Sequence, residues 1–439
     1  MSKFIVEGGN KLAGEVKLGG AKNSGFKLMI AALYANEKSQ INNFSEIGDV
    51  LVTAQIINEL GGNVTFGKNH ELWVDGTDLS DFELSKKNGR VSRASTYFVG
   101  PLISRFGKAE IPIPGGCPIG QRPLDWHLEG FKALGANVEN KGSNYLITAD
   151  KLHGTRYVFP KNSHGGTDVM IIASVLAEGE TILENAACEP EVDDLISFLN
   201  KMGAKIKRIE QRTIKIEGVE KLSGTDYRVM PDRNEAVTFG IAAFLTKGDI
   251  LVKGADKENL KAFLEKVEEA GGGFEFKKEG IRFFYKRGLK STNIQTSHYP
   301  GFMTDWQALW AVLMTQAEGT SIIHETVFEK RFQYLSALSK MGAKVELFNP
   351  ELTDADNVYN FDLEDDQPDN FHAVKIFGST PLKGTNLEVT DVRAGATITL
   401  AALCASGKSE ITGIEHIERG YENLEERLER LGAKITRVE

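Results

Sequence analysis

Residues 192–207 read Val192-Asp-Asp-Leu195-Ile-Ser-Phe-Leu199-Asn-Lys-Met202-Gly203-Ala-Lys-Ile-Lys207. Val192, Leu195, Leu199 and Met202 recur three and four apart, which places their side chains on one face of a helix. Gly203 ends that helix, because a left-handed terminal residue is nearly free for glycine and costly for a residue with a Cβ. Apolar and charged residues then alternate, as in a strand with one buried face. The same order recurs at Leu60-Gly61, Leu134-Gly135, Ala270-Gly271, Met341-Gly342 and Leu431-Gly432, so the six glycines stand 74, 68, 68, 71 and 90 residues apart.

Each interval also holds an earlier stretch rich in Ala and Leu. The runs from Asp168 to Ala177 and from Ala394 to Cys404 are apolar all round, which predicts helices buried on every side. Six α/β units of this size are too large for a solenoid and predict two domains of three units each, with helices inside and sheets outside. The last interval is stretched by an acidic, turn-rich segment near 350–380, expected to be an exposed excursion.

A chain of 439 residues is too long for one ordinary core. Its 41% hydrophobic and 26% charged residues describe a soluble globular protein, and no apolar run approaches the roughly 20 residues of a membrane helix. The start, Met1 to Gly9, lacks the apolar core of a secretory signal, so a cytoplasmic location with no membrane partner is expected. A net charge of −9 argues against general nucleic-acid binding, which needs a dominant basic surface. Cys117, Cys188 and Cys404 are odd in number and show no CxxC spacing, so neither a disulfide framework nor a metal site is indicated.

Short polar clusters stand at or near the starts of the buried helices: Lys22-Asn23, Arg93-Ala-Ser95, Gly166-Thr-Asp168, Asp232-Arg233-Asn-Glu235, Thr304-Asp305 and Asp391-Val-Arg393. Free N–H groups and the helix dipole attract anions at such ends, so a cation placed there implies an anionic ligand, phosphate or carboxylate. For each cluster taken singly, a capping residue beside a solvated cation is the plainer reading. Recurrence at equivalent positions favours the anion site. For Asp232-Arg233 and Glu189-Pro-Glu191 a capping or interdomain role is expected instead.

The Gly/Pro-dense run from Pro112 to His127 sets a thiol, Cys117, five residues before Arg122. A turn tip between glycines and a proline is a poor core position for cysteine, and a neighbouring guanidinium favours the thiolate, which points to a reactive thiol. Cys188 and Cys404 lie in apolar or helical contexts and are read as packing residues.

Taken together, Gly20-Ala-Lys22-Asn23, Arg93-Ala-Ser95, Pro-Gly-Gly-Cys117-x-Ile-Gly-x-Arg122-Pro123-x-Asp125-x-His127, Pro231-Asp-Arg233, Pro300-x-Phe-x-Thr-Asp305, Glu325-Thr-Val327-Phe-Glu-x-Arg331-Phe, Asp391-x-Arg393-Ala and His416-Ile-x-Arg419-Gly-Tyr421-Glu resemble the UDP-N-acetylglucosamine 1-carboxyvinyltransferases. All eight run in family order over nearly the whole chain. The resemblance implies an inside-out α/β barrel of two domains, each of three βαβαββ units. One would span 22–230, and the other 1–21 with 231–439. It implies enolpyruvyl transfer from phosphoenolpyruvate to the 3′-hydroxyl of UDP-N-acetylglucosamine, with no cofactor or metal, by a monomer or weak homo-oligomer.

By the same resemblance the catalytic residues are Cys117, the proton donor, Asp305, the base that faces the acceptor hydroxyl, and Lys22, a ligand of the phosphate. Phosphoenolpyruvate would meet Lys22, Asn23, Arg122, Arg331, Arg393 and Arg419, with Arg331 and Arg393 on its carboxylate end. The nucleotide sugar would meet Asn23, Arg93, Arg122, Pro123, Leu124, Asp125, Trp126, Lys161, Asn162, Ser163, His164, Asp305 and Val327. Ser92, Trp126 and the stretch Lys161 to His164 depart from the family pattern, which leaves a related nucleotide or sugar nucleotide open as acceptor. A shikimate-pathway synthase of the same fold and a silent UDP-sugar-binding paralogue are the other readings. The Cys117 loop and the Gly20-Ala-Lys22-Asn23 start stand against the first, and retention of Cys117, Asp305 and the cations against the second.

Overall fold

A computed structural model describes residues 2–90, 93–113 and 124–439. They fall into two compact units, one holding residues 2–19 and 231–439, the other residues 20–113 and 124–230. Cys117, Arg122, Pro123 and Ser92 lie outside the described residues.

In the first unit three helices, Arg233–Leu245, Thr304–Thr315 and Val392–Cys404, pack on one another with nearly every side chain buried. Three four-stranded sheets cover them. The N-terminal strand Lys3–Glu7 is central to one sheet, antiparallel to both Lys408–Thr412 and Lys434–Val438. The next strand, Ala13–Lys17, runs parallel to Asp249–Lys253 in another. The third sheet orders Ile294–Gln295, Thr320–His324, Ala373–Phe377 and Lys344–Phe348.

The second unit repeats the plan with the helix Lys22–Ala31, the 3-10 turn Arg93–Phe98 running into Val99–Phe106, and the helix His164–Ser174. Three sheets surround them, one of three strands and two of four. Buried helices with sheets outside are the inside-out α/β architecture. It follows from helices without a polar face, since such helices are covered on every side.

The six glycine junctions are all present. The helices Gly48–Glu59, Asp125–Ala133, Pro190–Lys201, Lys261–Glu269, Leu335–Lys340 and Leu424–Arg430 each end one residue before Leu60, Leu134, Met202, Ala270, Met341 or Leu431 has closed the last turn. The glycine after it then takes positive φ, from +80° at Gly271 to +110° at Gly203, and turns the chain into the alternating strand. Nothing lies within 4 Å of a Cβ built at Gly203, so backbone conformation alone accounts for glycine there.

The acidic excursion differs from the expectation at both ends of its burial scale. Residues 373–377 are an interior strand, and Tyr359 and Phe361 are buried, stacked at 4.8 Å between ring centres. His372 closes the cluster and binds Asp366 at 2.8 Å. Rings hidden from water anchor a segment whose other side chains are mostly polar and solvated.

Candidate active site

The first unit gathers charge on the starts of its inner helices. Asp305 is the second residue of Thr304–Thr315, and Met303 occupies the N-cap position. The capping role considered for Asp305 therefore does not hold. Its carboxylate is instead shared by two arginines, accepting from Arg331 Nη2 at 2.9 Å and from Arg393 Nη2 at 3.2 Å. Both arginines are more than nine-tenths buried, whereas a quarter of the Asp305 side chain meets solvent.

Arg393 stands second on its helix, whose N-cap Asp391 accepts from the backbone N–H of Arg393 and Ala394. Its Nη1 donates to the Tyr421 hydroxyl at 3.2 Å, and that hydroxyl lies 2.9 Å from Thr238 Oγ1. Burial works against the guanidinium charge, but Asp305 first, then Tyr421 and Asp232, outweigh it and raise the pKa above arginine's usual value. The group is a permanent cation at a helix end that repels cations. Two guanidiniums converge on one carboxylate, the kind of pairing that an incoming carboxylate or phosphate can also make.

Glu325 supports this cluster from below. It accepts from Thr304 Oγ1 at 2.8 Å and from the backbone N–H of Val327 and Phe328 at 2.8 and 3.1 Å. Burial raises its pKa, while Arg331 and these hydrogen bonds pull the other way. Glu325 thus ties the start of the Asp305 helix to the loop that carries Val327 and Arg331. Gln307 adds a second tie, donating to the Arg331 carbonyl at 3.3 Å and accepting from Tyr334 at 2.7 Å. Arg419 is partly exposed and closes the short helix Glu415–Glu418, which packs on the Arg393 helix.

Asp232 caps its helix through the N–H groups of Asn234 and Glu235, as expected, and Arg233 lies over the rings of Tyr299 and Trp306. Arg427 pairs with Glu235 at 2.6 Å.

In the second unit Lys22 opens the helix Lys22–Ala31, with Asn23 behind it, and its ammonium pairs with Asp49 at 2.7 Å. Arg93 opens the 3-10 turn. Leu124 is buried at the head of Asp125–Ala133, Asp125 is exposed, and the Trp126 carbonyl accepts from the Tyr157 hydroxyl at 3.0 Å. Ser163 caps the helix that His164 begins, accepting from Gly166 N–H at 3.0 Å. Asn162 is buried and donates to the Asn185 carbonyl at 3.2 Å. Lys161 is partly exposed.

Asp168 lies one turn inside that helix and is wholly buried, where Lys27 grips both its oxygens at 2.8 and 2.9 Å. Neither Lys27 nor Asp49 stood out in the sequence. Each reads as an ordinary helix residue, and the partner of Lys27 comes from another unit of the repeat. Cys188 and Cys404 are held as packing residues. Burial raises both thiols, Cys404 up to about 12, which keeps them protonated and unreactive at neutral pH.

Residues 6–428 match the family of EPSP synthase (3-phosphoshikimate 1-carboxyvinyltransferase). The chain belongs to the EPSP synthase family. Within this family it is 40% identical over 438 residues to the UDP-N-acetylglucosamine 1-carboxyvinyltransferase of Halothermothrix orenii, covering all of both chains. It is 42% identical, again over the whole of both, to UDP-N-acetylglucosamine 1-carboxyvinyltransferase 3 of Caldanaerobacter subterraneus subsp. tengcongensis. Among solved structures the enolpyruvyl transferase NikO from Streptomyces tendae superposes with a TM-score of 0.86 at 23% identity, covering 100% of this chain and 99% of that one. EPSP synthase from Acinetobacter baumannii gives 0.73 at 20% identity, with both chains fully covered. Identities this low establish the EPSP synthase fold alone, while the full-length sequence relatives carry the family resemblance. No helix among the described residues is long and apolar enough to cross a membrane.

Proposed function

We propose that this protein transfers the enolpyruvyl group of phosphoenolpyruvate to the 3′-hydroxyl of UDP-N-acetylglucosamine and releases phosphate, the step that commits the sugar nucleotide to peptidoglycan precursors. The acceptor oxygen forms a bond to C2 of phosphoenolpyruvate as Cys117 protonates the vinyl carbon and Asp305 takes the hydroxyl proton. The tetrahedral ketal then loses phosphate from C2 and a proton from the new methyl group, which restores the double bond. No electron leaves or enters, so the chemistry calls for acids, bases and fixed cations.

The observation that carries this reading is the Asp305 carboxylate held between Arg331 and Arg393. A base and two carboxylate-binding cations within one hydrogen-bonded group fit a reaction that brings a hydroxyl to an anionic acid. Lys22, Arg122 and Arg419 are assigned to the phosphate, with Asn23 beside Lys22. Arg93, the residues 122–126, the residues 161–164 and Val327 are assigned to the nucleotide sugar.

The test is product identity. The enzyme is incubated with phosphoenolpyruvate and, in parallel, UDP-N-acetylglucosamine, UDP-N-acetylgalactosamine, UMP or shikimate 3-phosphate, and each product is read by mass spectrometry and NMR. The reading predicts an enolpyruvyl ether on UDP-N-acetylglucosamine alone. A product formed only from another acceptor would keep the mechanism and replace the substrate.

A further inference from the structure

The ion pair of Lys27 and Asp168 has no part in the reaction above, yet it occupies the core of its unit with side chains 0% and 1% exposed. Removing two such charges from water often costs more than their attraction returns, and apolar side chains of similar size would fill the space as well. What the pair does that apolar groups could not is hold a third side chain. His164 Nε2 lies 3.3 Å from Asp168 Oδ2 and 3.5 Å from Lys27 Nζ. The Tyr97 hydroxyl reaches the same carboxylate oxygen at 3.4 Å. The His164 side chain remains 23% exposed, and among the described residues Nδ1 makes no hydrogen bond.

If the imidazole is charged, Nε2–H donates to Asp168 and Nδ1 also carries a proton. If it is neutral, Nε2 either keeps its proton for Asp168, which leaves Nδ1 an acceptor, or accepts from Lys27, which leaves the proton on Nδ1. The charged form is the one in which Nδ1 donates whatever the partner of Nε2. Burial disfavours the charge, but the charge and hydrogen bond of Asp168, together with Glu189, outweigh both burial and Lys27 and raise the His164 pKa above its usual value. Tyr97 and His127 border the same turn at Gly165.

We infer that Lys27 and Asp168 are positioning residues for the acceptor: they fix His164 through Nε2 so that Nδ1–H meets the phosphate-bearing part of the nucleotide sugar. This rests on the assignment of residues 161–164 to the acceptor. His164 is the first residue of its helix, where a cation is repelled by the dipole until an anion joins it. The charged imidazole is therefore the tighter binder, and binding weakens as pH rises and that charge is lost.

Titration calorimetry of UDP-N-acetylglucosamine on the full-length enzyme, between about pH 5.5 and 8.5, reads this directly. The wild type is expected to bind more weakly as pH rises through a transition above the ordinary histidine range. His164→Gln weakens binding about tenfold, the loss of one charge-assisted hydrogen bond, and flattens the profile. Asp168→Asn moves the transition to lower pH, because only Glu189 then opposes the repulsion of the imidazolium by Lys27. The KM for phosphoenolpyruvate changes less than about twofold in each variant.

A flat wild-type profile together with His164→Gln binding within about twofold of wild type would overturn the inference. Where Asp168→Asn does not fold, His164→Gln decides alone, since its side chain is partly exposed. A wild type that does not bind UDP-N-acetylglucosamine overturns the acceptor assignment first, and the inference with it.

Discussion

Asp305→Asn is expected to lower kcat by roughly two to four orders of magnitude, the usual contribution of a positioned general base. The amide keeps the size of the side chain and one oxygen that can still accept from Arg331, so the helix beginning at Thr304 stays anchored by Thr304 and Glu325. What is lost is the group that takes the acceptor proton, and with it the shared counter-ion of Arg331 and Arg393. Binding of phosphoenolpyruvate survives, because both guanidiniums remain and have lost a competing anion. Steady-state kinetics beside a thermal melt separates these effects. A kcat within tenfold of wild type would remove Asp305 from the chemistry.

The largest loss of stability is expected from Lys27→Met. Breaking a buried ion pair from one side leaves the other charge without compensation, which costs roughly 3–5 kcal/mol. Asp168 would retain only the Tyr97 hydroxyl and His164, both at longer range than Lys27. The paired replacement Lys27→Met with Asp168→Leu removes both charges and should recover at least half of the loss. Urea unfolding of the two single variants and the double variant closes a cycle. Strict additivity would mean that Lys27 and Asp168 are not energetically coupled, contrary to their geometry.

The architecture was readable because its strongest signals are local. A helix face, a left-handed glycine and an alternating strand occupy fewer than about twenty consecutive residues, so each junction from Leu60-Gly61 to Leu431-Gly432 announces itself without knowledge of its partners. The all-round apolar helices were equally plain. Pairing was another matter: nothing local in Phe4 or Val6 says that they lie beside Ile411 and Ile435.

The site was legible only where chemistry and position coincide. Arg393 and Asp391 flank an obvious helix start, and both act there. Thr304-Asp305 looks like a cap, but the chain enters extended at Met303 and the Thr304 hydroxyl turns to Glu325, which leaves Asp305 to the arginines. Lys27 gave no signal at all. A lysine on a helix is read as a solvated side chain, and its burial depends on an aspartate 141 residues away. The acidic excursion misled for a related reason, since composition averages over a segment while Tyr359, Phe361 and the strand Ala373–Phe377 each answer to a specific neighbour.

The most direct test of the enolpyruvyl transferase assignment is phosphate release from phosphoenolpyruvate, followed with and without UDP-N-acetylglucosamine in wild type and in Cys117→Ser. The account predicts phosphate released one for one with acceptor consumed, none without acceptor, and a sharp fall in the variant. Release that is indifferent to UDP-N-acetylglucosamine, or no release while the nucleotide sugar binds tightly, would contradict it.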